Sequence, residues 1–157
     1  MSNVAVLDRE TVEAAATRDF LTIYIADQIF GIPVLQVQDV LGEQRVTRVP
    51  LAPPAIAGSL NLRGRIVTAI DVRTCLGLPA REKADGQVMS VVVENQGELY
   101  SLNIDKVGDV LSLPTKDYEQ SPATLDPTWR SVSQGIYRLK DRLLVVLDVP
   151  KLLEGLS

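Results

Sequence analysis

Apolar and polar positions alternate in short runs along most of this chain, and turn-forming residues break the runs at close intervals. Phe20 to Ala26 and Ile29 to Val34 flank Asp27-Gln28 and predict a hairpin. Val88 to Glu94 and Leu99 to Ile104 flank Asn95-Gln96-Gly97 and predict another. Gly58 to Leu78 reads as strand, tight turn, strand, because Arg63-Gly64 separates two runs rich in Leu, Ile and Val and a glycine accepts the positive φ such a turn demands. The second of these strands, Arg65 to Ile70, gives way to Asp71. There an acceptor side chain, the Val72/Leu76 pair and Gly77 predict one or two helical turns capped by the aspartate. Val34 to Leu41 fits either a helical turn or a bulged strand, Arg45 to Val49 alternates as a strand, and Pro50, Pro53 and Pro54 mark an irregular crossing.

The pattern occurs twice. Gly135 to Leu153 aligns with Gly58 onward without a gap, matching Leu62 with Leu139, Arg65 with Arg142, Asp71 with Asp148 and Leu76 with Leu153. Upstream, Ile29 to Leu41 lies over Leu99 to Leu111 and shares Val37/Val107, Asp39/Asp109, Val40/Val110 and Leu41/Leu111. A tandem duplication spaced by about seventy residues is too long for a solenoid repeat and suits a small barrel. The expected layout is a flexible tail over residues 1–18, then one domain over 19–157 made of two barrel halves, roughly 20–80 and 81–157. Leu143 to Leu147 is apolar on both faces, as Ile66 to Ile70 nearly is. A strand of one small barrel has a single face inside it, so the two barrels are expected to pack together through these strands.

A chain of 157 residues with 46% apolar content buries a sizeable core, and with only 4% aromatics that core must be aliphatic. Together with the β-branched runs, this predicts an all-β protein with short helices. The chain has no histidine, and Cys75 is its one thiol. A histidine-based triad and a His/Cys zinc site therefore lack their base or ligands, and no disulfide can close within the chain, as suits a reducing cytoplasm. No apolar run approaches the ~20 residues of a membrane span, so direct membrane insertion is not expected. A net charge of −4 disfavours phosphate-backbone binding, although the cations between Phe20 and Ala80 are all arginines.

Catalytic chemistry finds no support. Asp71 and Asp148 are one per repeat, but Asp71-Val72-Arg73 and Asp148-Val149-Pro150 lack the small residues that let two carboxylates share a proton, and both read as helix N-caps. Cys75 has no activating base, and Gly58, Gly64 and Gly77 have no phosphate-loop spacing. No cofactor, metal or catalytic residue is expected. Two small barrels with strand edges between prolines instead make a platform for binding proteins.

Phe30-Gly31-Ile32-Pro33, Val37-Gln38-Asp39-Val40, the Gly58 to Gly64 run with Asn61-Leu62-Arg63-Gly64, Ile70-Asp71-Val72-Arg73, and late Gly135 with Leu147-Asp148-Val149 together resemble the CheW coupling proteins of bacterial chemotaxis. The match covers Phe20 to Leu153 in order. The resemblance implies two SH3-like five-stranded β-barrels on a shared apolar core. It implies a cytoplasmic, non-enzymatic adaptor recruited to chemoreceptor arrays, which joins receptor hairpin tips to the regulatory domain of a CheA-type histidine kinase and alternates with that CheW-like domain in rings that can include other adaptor copies. Carried over by position, Val37, Asp39, Val40, Gly58, Asn61, Leu62, Arg63 and Gly64 belong to surfaces for receptor or kinase, and Val107 and Val110 to the receptor groove. Arg63 stands out because a turn arginine has little structural reason to exist. Asp39 departs from the family, where glutamate is more usual, and so do Thr68-Ala69. The alternative, a small-barrel nucleic-acid binder, is disfavoured by few aromatics and acidic balance.

Overall fold

The computed structural model describes residues 16–42, 44–79 and 89–155; most of the expected tail lies outside them. The strands are β1 (Thr17–Ile25), β2 (Gln28–Pro33), β3 (Val37–Leu41), β4 (Ile56–Leu62), β5 (Arg65–Asp71), β6 (Met89–Asn95), β7 (Glu98–Ile104), β8 (Lys106–Pro114), β9 (Ser133–Arg138) and β10 (Leu143–Leu147). Short helices α1 (Val72–Cys75) and α3 (Val149–Glu154) follow β5 and β10, and α2 (Pro127–Ser131) precedes β9.

Local chemistry explains most of these boundaries. The Arg63-Gly64 and Gln96-Gly97 turns have φ of 52° and 85°, and 52° and 80°, the doubly positive geometry whose twist matches antiparallel strands. Asp71 caps α1 by accepting the Thr74 N–H at 3.4 Å, and Asp148 caps α3 by accepting the Lys151 N–H at 3.1 Å. Val34 to Leu41 resolves into both expected forms: a 3-10 turn over Val34–Gln36, then β3, which bulges between Val37 and Asp39. Arg45 to Val49 is not a strand. It contributes one bridge, from Thr47 to Ser59, before the prolines remove the donors a ladder needs. β1 begins at Thr17, slightly inside the stretch expected as tail.

Two five-stranded sheets form, in the orders β8-β1-β2-β10-β9 and β3-β6-β7-β5-β4. The sequence repeat equates β1 with β6, β2 with β7, β3 with β8, β4 with β9 and β5 with β10, so the two orders are one order written twice. The barrels are therefore not residues 20–80 and 81–157. Each repeat keeps its first hairpin in one barrel and lends its last three strands to the other, through the parallel pairs β2–β10 and β7–β5. A sequence repeat identifies equivalent strands. It carries no information about which copy a strand pairs with, because that is fixed by contacts far apart in the chain.

Each barrel closes in the same way. Thr47 and Ser59 exchange two backbone hydrogen bonds of 2.8 Å in the second barrel, and Glu119 and Ile136 exchange bonds of 3.0 and 2.8 Å in the first. The preceding residues are the equivalent glycines Gly58 and Gly135. A Cβ on Gly58 would run into the Thr47 carbonyl, and one on Gly135 into the Glu119 carbonyl and the Tyr118 ring. Gly58 also has a φ of 151°, which L side chains rarely adopt.

The core has three parts. A shared layer between the barrels holds Ile23, Phe30 and Ile32 from the first sheet with Val91, Val93 and Leu102 from the second. The first barrel is filled by Phe20, Ile29, Tyr137, Leu144 and Val146, and the second by Leu60, Val67, Ala69, Val92 and Leu99. β10 serves two of these layers, with Val145 and Leu147 in the shared core and Leu144 and Val146 inside its own barrel. β5 likewise places Val67 and Ala69 inside and Ile70 in the shared layer. The packing expected through these two strands is what forms. Trp129 lies over the shared core, its ring 5.7 Å from that of Phe30.

Candidate functional site

β3 and the β4–β5 turn build the end of the second barrel. The bulge in β3 leaves Val37 half-buried against the shared core and turns Val40 out, 39% exposed. Asp39 lies within the bulge, where Oδ1 accepts the Val40 N–H at 2.9 Å and Oδ2 meets Arg63 Nη2 at 3.0 Å. The arginine side chain is 78% exposed and that of Asp39 only 24%, so the carboxylate is a fixed anchor and the guanidinium remains available. A surface pair of this kind contributes little to folding, from nothing measurable to ~1 kcal/mol.

The backbone under Arg63 is the more telling feature. Its φ of 52° is the left-handed region, which an ordinary L residue enters at a cost of roughly 1–2 kcal/mol and which Asn or Gly occupies more readily. Asn61 supports the turn, its Oδ1 accepting the Gly64 N–H at 2.9 Å. Arg63 thus stands on a turn it does not help to form, with its charge held outward. A small cleft of about 140 Å³ lies beneath it, reaching past Gln38, Leu62 and Arg65 to Val92 and Leu99 of the barrel interior.

The sequence-predicted residues divide accordingly. Asp39, Asn61, Leu62, Arg63 and Gly64 come together at the mouth of the second barrel, with Val37 and Val40 on the adjoining strand. Gly58 is buried at the closing bridge, and its place in the backbone accounts for the glycine. Val107 and Val110 lie on β8 of the other sheet, Val107 half-buried against the shared core and Val110 55% exposed. Arg65 and Ile66, which sequence reasoning did not single out, are also exposed beside the Arg63 turn. No sequence signal marked them, because Arg65-Ile66 reads as an ordinary polar-apolar step and only the structure shows both exposed.

Other features offer no competing chemistry. A larger cleft of about 780 Å³ runs between α1 and α3 and includes Cys75. Burial, aided by the nearby Asp71 carboxylate, pushes that thiol up to about 11, so it is protonated and unreactive near neutral pH. Among the described residues no cluster of three or more acidic or cysteine side chains can hold a metal ion, and no helix is long and apolar enough to cross a membrane. Phe20, Phe30 and Tyr137 are buried, Phe20 against Tyr137 and Phe30 against Trp129, so these rings are not available for bases to stack on.

Comparison with known proteins gives a consistent answer. Residues 19–157 match the family model for the CheW-like domain. The chain is 32% identical over 156 residues to the chemotaxis protein CheW of Klebsiella aerogenes, covering 99% of this chain and 90% of that protein. It is 26% identical over 144 residues to the chemotaxis protein CheW of Bacillus subtilis, covering 92% of each. The crystal structure of the scaffolding protein TtCheW from Thermoanaerobacter tengcongensis shares the fold, with a TM-score of 0.74 at 24% identity over 84% of this chain and 89% of that one.

Proposed function

This chain belongs to the family of CheW-like domains, and from that premise we propose that it is a chemotaxis adaptor that couples receptor tips to a histidine kinase. It works by holding proteins together, not by catalysis. One docking surface is the end of the second barrel, where Arg63 offers a directional charge, anchored by Asp39, to the regulatory domain of a CheA-type kinase. The other is the Val107 and Val110 side of β8, with Val37 and Val40 across the seam, where an apolar helical face of a chemoreceptor hairpin tip lies down. The principal residues of the two surfaces, Arg63 on one side and Val107 with Val110 on the other, lie on different sheets, which lets one molecule hold both partners at once, and further copies can join them in rings. This reading places the protein in the cytoplasm at receptor arrays.

The observation that carries the proposal is Arg63 itself, a charged side chain in a left-handed turn, 78% exposed. Backbone strain retained at an exposed charge has no folding benefit and points to a partner. The test is sedimentation of the protein with the kinase regulatory domain at micromolar concentration, using wild type and Arg63→Glu. A shifted species with wild type, lost in the variant, is expected. Absence of any shift with both components folded would remove the kinase from the proposal.

A further inference from the structure

Asp105 is the one residue between β7 of the second sheet and β8 of the first, so the chain passes from barrel to barrel through it. Its carboxylate is fully engaged there. Oδ1 accepts from Arg73 Nε at 2.9 Å and Oδ2 from Arg73 Nη2 at 2.5 Å, while Oδ2 also takes the Ala26 N–H from the β1–β2 turn at 2.7 Å. Arg73 belongs to α1 and reaches the Pro79 carbonyl with Nη1 at 3.1 Å. The two side chains are only 14% and 15% exposed, and the pair is a bidentate fork whose geometry lysine cannot reproduce. Three elements from both barrels therefore meet at one carboxylate.

This clamp sits two residues before Val107. On the far side of that valine, β8 bulges opposite Thr22, whose Oγ1 donates to the Asp109 carbonyl at 2.6 Å, and Gly108 has no room for a Cβ against Thr22 and Tyr24. Val107 is thus held between two fixed points. The equivalent stretch in the other repeat has neither. Leu35, exposed, replaces Asp105, Pro150 replaces Arg73, and Val92 replaces Thr22. The difference is local to β8, because the sheet orders and pairing registers otherwise correspond.

We infer that Arg73 and Asp105 are positioning residues for the docking face of β8: they hold Val107 and Val110 in the bound arrangement before the partner arrives, while touching no partner themselves. This rests on the reading of β8 as the receptor-facing strand. A preorganised face avoids the ordering cost of binding, so loosening it weakens affinity without removing a contact.

The test measures binding of two probes, a soluble two-helix receptor-tip hairpin and the kinase regulatory domain, to wild type, Asp105→Asn, Arg73→Lys and Thr22→Val, with amide hydrogen exchange of β8 in each. Asp105→Asn is expected to weaken hairpin binding tenfold or more and Arg73→Lys and Thr22→Val by less. Kinase-domain binding should stay within twofold, and exchange should quicken in β8 but not in β3. If Asp105→Asn does not fold, Arg73→Lys, which keeps the charge and loses the fork, decides. Faster exchange in β8 with unchanged hairpin affinity, or equal loss of both partners in step with stability, overturns the positioning role alone. A wild-type protein that binds no hairpin overturns the receptor-facing reading of β8 and the inference with it.

Discussion

The two barrels share a strand order and a closing bridge, yet they are filled and finished differently. The first packs Phe20 against Tyr137, ring centroids 5.4 Å apart, with Tyr118 a further 5.7 Å away. The second is filled by Leu60, Val67, Ala69, Val92 and Leu99, with no aromatic ring among them. Val40 pairs with Val91 in one barrel just as Val110 pairs with Leu21 in the other, so the bulged edge strand has kept its register. The turns have not kept their chemistry. Asp39 is bound by Arg63, whereas among the described residues Asp109 and Lys140, which the repeat equates with them, form no ion pair. Features that close a barrel are the same in both copies, and the exposed turn carrying the Asp39–Arg63 pair differs between them.

The sharpest way to break this equivalence is at the bridges. Gly58→Ala adds a Cβ against the Thr47 backbone at a strained φ, combining two penalties of roughly 1–3 kcal/mol each, so denaturant unfolding should show a loss of about 3 kcal/mol or more. Gly135→Ala carries no such φ, and part of its clash is with the Tyr118 side chain, so its cost should fall nearer the lower end of the ~1–3 kcal/mol range for overpacking. Equal losses at the two sites would contradict the role given to φ at Gly58.

The caps give a finer comparison. Asp148→Ala and Asp71→Ala should each lower stability by about 1 kcal/mol, with the larger effect at Asp148, whose bond of 3.1 Å is shorter than the 3.4 Å at Asp71. A smaller change of opposite sign is expected at the exposed turn. Arg63→Asn suits the left-handed conformation better and should raise stability by a few tenths to ~1 kcal/mol while weakening kinase-domain binding. Loss of stability in that variant would show that the arginine supports the turn.

Cys75 provides a pH readout with almost no effect near neutrality. Burial pushes its thiol up to about 11 from an ordinary value near 9.0, so the folded chain keeps a proton that the unfolded chain releases. Any stability this confers is complete below pH 9 and is lost as pH rises from 9 toward 11. Alkylation at pH 8 should be on the order of 100-fold slower than for an ordinary exposed thiol, in proportion to thiolate fraction. Rapid labelling of the native protein would place Cys75 in a more open setting than the α1–α3 cleft provides.

Much of this architecture was legible in the residues. Period-two runs and the turn pairs Arg63-Gly64 and Gln96-Gly97 locate hairpins because both signals are local. The two-faced apolarity of Leu143 to Leu147 foretold a strand between two cores. What the chain did not disclose is non-local. Arg73 and Asp105 are 32 positions apart, and neither has a neighbour that marks it as half of a clamp. The exchange of strands between repeats was hidden for the same reason. Arg45 to Val49 alternates like a strand, but alternation cannot report that only Thr47 finds a partner. At the candidate site, Arg63 was legible because its residue type disagrees with its turn, whereas its pairing with Asp39 required the bulge in β3 to be seen.

The exchange of strands also sets the order in which the molecule can be completed during synthesis. β3 to β7 are contiguous, so the second barrel has all its strands once Ile104 has been made. The first barrel must wait for Leu147, which at translation rates of about 5–20 residues per second is a delay of roughly several seconds. Throughout that interval the earliest hairpin, carrying Phe20, Phe30 and Ile32, has been made but lacks the parallel partner that covers it. The nascent chain therefore shows the apolar side chains of this first hairpin longest, and a holdase or the already completed second barrel is what must shield them.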